Sequence, residues 1–359
     1  MQKVNVKLKK KIDYSYKIYI GTNILEPCLR DFFKQKNFSS IGVITDSNIF
    51  EIYVEKLKPY FPEKAKFFSF PAGEENKNID TILKLSNSLQ KENFDRKSLL
   101  IALGGGVTGD ITGFLSSIYM RGIPFIQIPT SLLAMVDSSI GGKTGVDTEF
   151  GKNLLGTFSQ PLAVFIDTEF LKTLPEIEIK NGMAEIIKHG LIFDKNYIDK
   201  LNKMNYEEKI KRSCEIKGYV VSKDEKESGL RQILNFGHTV GHGIEKLFNF
   251  ILPHGICVAL GILIESKISV QKNILSLKDY NQIEKILDDY EYLSYIEKIK
   301  GLDIEKLFSI MLSDKKNLKG NVNVVLIKEI GKIYTKEGKF SFSVSRDEFV
   351  EVFKMLNIL

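Results

Sequence analysis

The chain has 359 residues, of which 43% are hydrophobic and 27% charged; this length suits two domains, and this composition excludes a largely disordered protein. The net charge of +6 comes from lysines spread along the sequence, without the basic stripe typical of nucleic-acid binding, and it suits anionic small molecules. Three widely spaced cysteines, Cys28, Cys214 and Cys257, exclude a disulfide framework.

The N-terminal segment lacks the pattern of a signal peptide and instead alternates apolar and polar residues around Val4–Leu8 and Tyr14–Ile20, which predicts a β-hairpin. The longest uncharged apolar run, residues 255–264, is shorter than the roughly 18 residues needed to cross a bilayer. We therefore expect a cytoplasmic protein in a reducing compartment, without a membrane or nucleic-acid partner.

The first half of the chain alternates predicted strands and helices. Buried strands are predicted within the segments SSIGVITDSN, KAKFFSFPAGEENK and SLLIALGGGVTGD, and one more strand within IPFIQIPTS. Helix-like stretches lie between them, so this half is predicted to be an α/β domain with a mostly parallel sheet.

The pattern changes near Leu174-Pro175, where a proline can open a helix and the apolar period moves from two toward 3.6. From there to about residue 315 the chain is predicted to be mainly helical, with a β-like segment, NVNVVLI, and a final helix from Arg346. We predict two domains, residues 1–175 and 176–359. No linker separates them, so we expect a shared cleft.

The segment GGGVTGD, residues 104–110, matches G-x-G-x-x-G between a predicted strand and a predicted helix. Its backbone amides and the helix N-terminus could hold a pyrophosphate; a turn needed only for close packing is the alternative. A standard Rossmann unit has an acidic residue about 20 positions later for the ribose, but the next strand here ends in Pro129-Thr130-Ser131. Asp46 or Glu74, at the ends of other strands, could supply that carboxylate.

All four histidines lie in the helical half, and three of them, His238, His242 and His254, fall within seventeen residues. The first two are four residues apart and would share a helical face. A catalytic zinc typically has three protein ligands and an open position. Two of these histidines with Glu185 could form such a site, but the spacing leaves open which two; a structural role is the alternative.

Charged residues are dense around these histidines. Consecutive charges such as KDEKES are typical of a solvated surface. Arg231 and Asn235 stand four apart, with His238 three further on, so one helical face could present all three to a ligand. Arg121 and Lys143 stand beside glycines, where they could meet a carboxylate or phosphate, or belong to ordinary turns.

Seven ordered motifs resemble those of the 3-dehydroquinate synthases, within the sugar phosphate cyclases: GGGVTGD, YMRG, IPTSLLAMVDSSIGGKTGVD, GKNLLG, LPEIEIKNGMAEIIKHG, DEKESGLRQILNFGHTVGHGIE and HGICVALG. With further matches from Asp46 to Asp314 they cover most of the chain; Ala72-Gly73 is a mild departure, since acidic residues are common there. The resemblance implies an N-terminal Rossmann-like NAD-binding domain, a C-terminal mainly α-helical metal-binding domain, and a homodimer. It implies bound NAD and zinc, for which cobalt could substitute.

The resemblance also implies roles for individual residues. Glu185, His238 and His254 would bind the metal, and His242 would transfer protons. The other residues with implied catalytic roles are Lys143, Glu227, Arg231 and Asn235. The implied substrate-binding residues are Arg121, Asp137, Lys143, Lys152, Asn153, Lys188, Lys217, Arg231 and Asn235, with Lys315 or Lys316. The implied cofactor-binding residues are Asp46, Asn48, Glu74, Lys77, Gly104, Gly105, Gly106, Val107, Gly109, Asp110, Thr130, Ser131, Lys143, Lys152, Phe170 and Thr173.

The implied reaction converts 3-deoxy-D-arabino-heptulosonate 7-phosphate to 3-dehydroquinate and phosphate, a step of the shikimate pathway toward aromatic amino acids. It comprises transient oxidation by NAD, phosphate elimination, reduction and an intramolecular aldol closure. The alternatives are a related sugar phosphate cyclase and a metal-dependent polyol or glycerol-phosphate dehydrogenase. Such a dehydrogenase needs no carboxylate clamp, so the cations Lys143, Lys217 and Arg231 favour the synthase.

Overall fold

A six-stranded sheet forms the centre of the N-terminal half in the computed structural model, which describes residues 13–312 and 321–359. Its strands run in the order β1-β8-β5-β4-β2-β3, and every neighbouring pair is parallel. The strands of the chain are β1 Lys17–Gly21, β2 Ile41–Asp46, β3 Ala65–Phe70, β4 Leu99–Gly104, β5 Phe125–Pro129, β6 Lys143–Thr148, β7 Gly151–Phe158, β8 Ala163–Asp167, β9 Val322–Val324, β10 Ile327–Glu329, β11 Lys332–Ile333 and β12 Phe342–Val344. The four predicted strands and the parallel sheet are confirmed. The expectation that the strand in KAKFFSFPAGEENK is buried is wrong, because β3 lies at the edge of the sheet and only Phe70 of its residues is buried.

Helices cover both faces of this sheet and form most of the C-terminal half. The helices are α1 Leu25–Gln35, α2 Ser47–Leu57, α3 Ile79–Lys91, α4 Gly106–Ile118, α5 Glu176–Phe193, α6 Lys195–Lys200, α7 Tyr206–Lys223, α8 His238–Leu247, α9 His254–Gln271, α10 Leu277–Asp289, α11 Ile296–Ile299, α12 Ile304–Leu312 and α13 Arg346–Met355. All residues of β4, β5 and β8 are buried, as expected for central strands covered on both sides. The predicted α/β half followed by a mainly helical half is confirmed.

The N-terminal segment contributes an edge strand to the main sheet. β1 pairs in parallel with β8, which lies almost 150 residues later in the chain. The first half of the predicted hairpin, around Val4–Leu8, lies outside the described residues. The sequence pattern therefore located a strand at Lys17–Gly21, whereas its pairing depends on the tertiary structure.

An antiparallel hairpin of β6 and β7 packs against α4, a feature that the sequence pattern did not predict. It follows a single π-helical turn, residues 134–138. Thr157 on β7 donates a hydrogen bond from Oγ1 to Ser117 Oγ on α4, 2.8 Å away. The hairpin thereby carries Lys152, at the start of β7, toward the C-terminal half.

The helical half begins at Glu176, directly after Pro175, and its centre is α9. This helix has the length and mean hydropathy of a membrane span, but 78% of that span is buried inside the protein, as in a core helix. A Cβ on Gly261 would lie 1.9 Å from the carbonyl oxygen of Gly237, so α8 and α9 can touch only because Gly261 has no side chain. The predicted final helix from Arg346 is confirmed as α13.

A buried carboxyl group on α9 holds the start of α8. Glu265 is fully buried and accepts hydrogen bonds from the backbone N–H groups of Gly237, at 2.7 Å, and Val240, at 3.3 Å. Those N–H groups belong to a helix N-terminus, where they have no partner within the helix. Glu265 therefore satisfies the donors beside His238, the first residue of α8.

We expect Glu265 to make the protein less stable as the pH rises. Burial raises the pKa of Glu265 from 4.5 to about 8. Its stabilising contribution is full below pH 4.5, where the unfolded chain is also protonated, and is lost as the pH rises through about 8. Relative to Glu265→Gln, the wild type should lose about 1.4 kcal/mol of unfolding free energy per pH unit between these values. Urea unfolding of both proteins at pH 5, 6.5 and 8 measures this, and a constant difference would contradict it.

Candidate active site and metal centre

The candidate site lies where the carboxyl ends of the parallel strands meet the helical half, the usual position of ligands on such sheets. β4 ends at Gly104 and α4 begins at Gly106, so the glycine turn has the predicted strand-turn-helix context. A Cβ on Gly104 would lie 2.4 Å from Thr108 Oγ1, and one on Gly109 would lie 2.8 Å from Gln127 Oε1. Close packing therefore requires glycine at position 104 whether or not the turn also binds a pyrophosphate, whereas at position 109 the Gln127 amide would have to move.

Three predicted metal ligands from three helices converge on one point. Glu185 on α5 is fully buried, and its Oε1 lies 3.3 Å from His238 Nε2 on α8 and 3.8 Å from His254 Nε2 on α9. Ligand atoms at 2.0–2.2 Å from one tetrahedral zinc lie about 3.4 Å apart. The two separations from Glu185 therefore fit a single shared ion.

The hydrogen bonds of the two histidines leave lone pairs facing that point. Nδ1 of His238 lies 3.2 Å from the carbonyl oxygen of Phe236, which can only accept, so the proton belongs on Nδ1. Nδ1 of His254 lies 3.2 Å from Oε2 of Glu245 and is held in the same way. Both Nε2 atoms then face Glu185 Oε1, a buried oxygen with no hydrogen-bond donor within residues 13–312 and 321–359. A divalent cation satisfies all three atoms.

Charged neighbours keep Glu185 and His238 in the protonation states that a metal requires, whereas burial would lower the pKa of His254 but Glu245 raises it. Burial alone would raise the pKa of Glu185, but Lys188, which forms an ion pair with it, and His238 hold that pKa well below its usual range. Burial and Lys188 lower the pKa of His238, which favours the neutral imidazole. A carboxylate and a neutral imidazole are the ligand forms of these side chains.

His242 lies beside the same histidines. Its ring centroid is 5.2 Å from that of His238 and 5.5 Å from that of His254, and its side chain is exposed. The three histidines could also hold an ion among themselves, because one ligand atom from each lies within 4.8 Å of the others. Asp137, Glu185 and His189 form another such group, so geometry allows three ligand sets. The choice of Glu185 with His238 and His254 stays a prediction.

A second polar cluster joins the π-helical turn to the helical half. Lys217 Nζ lies 2.6 Å from Asp137 Oδ1 and also donates a hydrogen bond to the backbone carbonyl oxygen of Asp137 at 2.7 Å. His189 Nε2 lies 3.7 Å from the same carboxylate oxygen. Burial would raise the pKa of Asp137, but Lys217 and His189 hold it well below its usual range. A largely buried anion and cation are thus placed next to Glu185 and Lys188.

The loop before α8 brings three more predicted residues together. Lys143 forms an ion pair with Glu227, which also accepts a hydrogen bond from Asn235 Nδ2 at 2.5 Å. Arg231 is buried and donates to the carbonyl oxygens of Gly141, at 3.1 Å, and Glu225. Lys143 and the hairpin base are therefore joined to the helical half at the cleft.

The prediction that Arg231, Asn235 and His238 share one helical face is wrong. Arg231 and Asn235 belong to a short 3₁₀ helix, Leu230–Asn235, and α8 starts separately at His238. Gly237 between them has φ +78°, a left-handed conformation that interrupts the helix. The residues still lie near one another because the chain turns back at this glycine.

Residues predicted to bind NAD line the nucleotide side of the cleft. Asp46 caps α2 by accepting from the backbone N–H of Asn48 and of Ile49, and its other oxygen accepts from Thr108 Oγ1 at 3.2 Å. Lys77 lies 2.6 Å from Asp110 and 3.9 Å from Glu74. The carboxylate of Asp46 therefore already has three donors, whereas Glu74 is more open to a ligand.

The remaining predicted nucleotide contacts surround the same turn. A Cβ on Gly105 would lie 3.5 Å from Ser131 Oγ, so the Thr130-Ser131 turn adjoins the glycine turn. Phe170 packs edge-on against Tyr53 with ring centroids 4.9 Å apart, and the Tyr53 hydroxyl is hydrogen-bonded to Thr173. Gly106 and Val107 form the first turn of α4.

One predicted residue, Arg121, is not brought to this cleft by the structure. Arg121 lies beyond the far end of α4, about 20 Å along the helix axis from the glycine turn. It has no hydrogen bond or ion pair within the described part of the chain. Lys315 and Lys316 lie outside the described residues.

Sequence reasoning missed Glu245. Its side chain is almost fully buried, with Oε2 facing His254 and Oε1 2.7 Å from Lys152 Nζ. His254 and Lys152 outweigh the effect of burial and lower the pKa of Glu245 to about 2. A signal was present: Glu245 follows His238 by seven residues, two helical turns, and so lies on the same face of α8.

The fold and the site define a class: a two-part α/β enzyme with a glycine-turn nucleotide site facing a histidine-carboxylate metal centre. Residues 67–181 match the N-terminal part of the 3-dehydroquinate synthase family, and residues 182–317 match its C-terminal part. A 3-dehydroquinate synthase from Acetivibrio thermocellus is 41% identical over 349 residues, covering 93% of this chain and 94% of the relative. The chain belongs to the 3-dehydroquinate synthase family.

Solved structures agree with this assignment. A 2-deoxy-scyllo-inosose synthase complexed with carbaglucose-6-phosphate, NAD⁺ and Co²⁺ has a TM-score of 0.86 and 26% identity, covering 94% of this chain and 96% of its own. Glycerol dehydrogenase from Schizosaccharomyces pombe has a TM-score of 0.67 and 15% identity, covering 98% and 92%. The dehydrogenase shares the fold alone.

Proposed function

We propose that the chain converts 3-deoxy-D-arabino-heptulosonate 7-phosphate to 3-dehydroquinate and phosphate. The observation that carries this proposal is the set of buried cations, Lys188, Lys217 and Arg231, placed beside the candidate metal ligands. Buried lysine and arginine side chains are rare unless they meet anions. Lys188 and Lys217 each have one protein anion, Glu185 and Asp137, and a substrate with both a carboxylate and a phosphate would supply further anions to this concentration of positive charge. Family membership supports the same reaction.

The proposed reaction requires two bound groups, zinc and NAD. Glu185, His238 and His254 would hold zinc, which, when bound, makes substrate hydroxyls more acidic. The glycine turn with Glu74, Lys77 and Asp110 would hold NAD, which supplies reversible oxidation of a substrate carbon. Asp46, Asn48, Thr130, Ser131, Phe170 and Thr173 complete the proposed nucleotide contacts.

The cations of the cleft would bind and orient the substrate. Lys143, Lys188, Lys217 and Arg231 are proposed to hold its carboxylate and hydroxyls, with Asp137, Glu227 and Asn235 keeping those side chains in place. Lys152 and Asn153 are proposed to meet the phosphate. Holding both ends of the substrate sets the reacting carbons in one pose, and an intramolecular aldol closure needs that pose.

His242 is proposed as the proton carrier. Its exposed imidazole adjoins the proposed ligands His238 and His254, within reach of substrate oxygens bound there. An imidazole titrates near neutral pH and so can both accept and donate a proton in one cycle.

Arg121 lies far from the glycine turn along α4, so it is proposed to meet a phosphate in a neighbouring molecule rather than beside that turn. The expected homodimer would allow such a contact. The homodimer, the cytoplasmic location and the domain division near Pro175 stay predictions.

Redox balance separates this function from that of a dehydrogenase. The substrate oxidation must be reversed before product forms, so no net NADH should appear. With the heptulosonate phosphate, zinc and a catalytic trace of NAD, phosphate should be released in equal amount to 3-dehydroquinate over many turnovers. Absorbance at the NADH band and a phosphate assay on the same sample measure both. Steady accumulation of NADH without phosphate release would overturn the proposal in favour of a polyol or glycerol-phosphate dehydrogenase.

A further inference from the structure

A row of alternating charges runs from the nucleotide side of the cleft to the candidate metal centre. On the nucleotide side, the nitrogen–oxygen distances are 2.6 Å from Lys77 to Asp110 on α4 and 3.9 Å from Lys77 to Glu74. Lys152 lies between the two halves, 3.5 Å from Glu74 and 2.7 Å from Glu245. Glu245 in turn lies 3.2 Å from His254 Nδ1. The row thus joins α4, the β6–β7 hairpin, α8 and α9. Glu245 is the first residue of this row that lies in the helical half.

Glu245 contacts both neighbours from a buried position. Its side chain is 6% exposed, and its two oxygens are divided, one facing His254 and the other Lys152. A buried carboxylate is stable only when paired, so these two contacts depend on each other. The aromatic ring of Phe250 also lies against Lys152, with Nζ 4.3 Å from its centroid, which restricts where the ammonium can move.

The contact with His254 acts on the metal side. A carboxylate that accepts from Nδ1 fixes the tautomer and the ring orientation, so that Nε2 points to the metal position. The contact with Lys152 acts on the nucleotide side, because Lys152 also faces Glu74, a proposed NAD ligand. When either the proposed metal site or the proposed NAD site is occupied, Lys152 and Glu245 are held in the positions that binding at the other site requires.

We infer that Glu245 is a positioning residue that couples metal binding to NAD binding, so that each ligand tightens the other. This inference rests on the proposed metal and NAD sites, but not on the reaction carried out there. Coupling of binding is reciprocal and typically amounts to about 5- to 150-fold between two sites. In the wild type we expect metal to tighten NAD at least about fivefold, and NAD to tighten metal by the same factor.

The test measures binding of Co²⁺ and NAD rather than turnover. Co²⁺ is titrated by its visible absorption, with and without saturating NAD, and NAD by calorimetry, with and without saturating Co²⁺. Glu245→Gln keeps the size of the side chain but removes its charge. It should weaken Co²⁺ about 10- to 100-fold and reduce the coupling factor to below about 2.

Two further variants separate coupling from a general loss of structure. Lys152→Met should abolish coupling, while Co²⁺ affinity without NAD should fall less than in Glu245→Gln, because Glu245 keeps its charge and its contact with His254 but loses the partner of its other oxygen. Glu348→Gln is the matched control: Glu348 also pairs with a lysine, Lys272, but lies on α13 outside the site. It should leave both affinities and the coupling unchanged.

Any of three results would overturn the inference: no coupling in the wild type, wild-type Co²⁺ affinity and coupling in Glu245→Gln, or intact coupling in Lys152→Met. If circular dichroism shows that Glu245→Gln does not fold, the Lys152→Met measurement decides alone. The proposed function can fail independently, since binding and its coupling are measured without product formation. Conversely, if the wild type forms 3-dehydroquinate normally but NAD does not change its Co²⁺ affinity, this inference is wrong and the proposed function stands.

Discussion

His254→Ala should lose bound metal and turnover together. The change removes one of three proposed ligand atoms and leaves Glu185 Oε1 and His238 Nε2 facing each other without the third. It also removes the partner of Glu245 on the metal side. Because a catalytic metal supplies several kcal/mol of transition-state stabilisation, we expect kcat to fall at least about 1,000-fold.

Metal content by elemental analysis and turnover by phosphate release, on the same dialysed preparation, measure this effect. Zinc added to the wild type after chelation should restore activity, whereas zinc added to His254→Ala should not. Normal turnover in a verified metal-free preparation would show that the site is not a catalytic metal centre.

His242→Asn should lower kcat about 100- to 10,000-fold, the usual contribution of a positioned general acid or base, while leaving the zinc content unchanged. The expected separation arises because the proposed metal ligands include Glu185 rather than His242, which leaves His242 for proton transfer. Asparagine keeps a polar side chain of similar reach but cannot exchange a proton near neutral pH.

The two histidine variants can be compared directly, because the ring centroids of His242 and His254 lie only 5.5 Å apart. If His242→Asn loses zinc as His254→Ala does, His242 is a ligand and the metal set is the three histidines. If it keeps both zinc and full activity, its proposed role in proton transfer is wrong.

Local patterns in the sequence were sufficient for the class of fold and for the type of site. The apolar runs before Asp46 and Gly104 predicted buried strands, because burial on both faces of a parallel sheet requires continuous apolar residues. The motif at residues 104–110 predicted the glycine turn, since a strand and a helix that touch this closely need glycine. The spacing of His238 and His242 likewise predicted a shared helical face, and both lie on α8.

Contacts between distant parts of the chain could not be predicted in this way. The break between Asn235 and His238 depends on Gly237 and on Glu265, which reaches the start of α8 from 28 residues further along the chain. The charge row depends on the hairpin packing against α4, which places Lys152 beside a carboxylate 93 residues later.

The composition, the strand and helix periods and the ordered motifs thus established an α/β half, a helical half and a family of metal- and NAD-dependent enzymes. Periodicity and motif spacing reflect neighbours along the chain, and those are present in the sequence itself. Which oxygen of Glu245 meets His254, which ring nitrogens face Glu185, and where Arg121 lies were decided by helix packing and chain direction. Such contacts require two separate elements to meet within about 3 Å, and only the folded arrangement sets those distances.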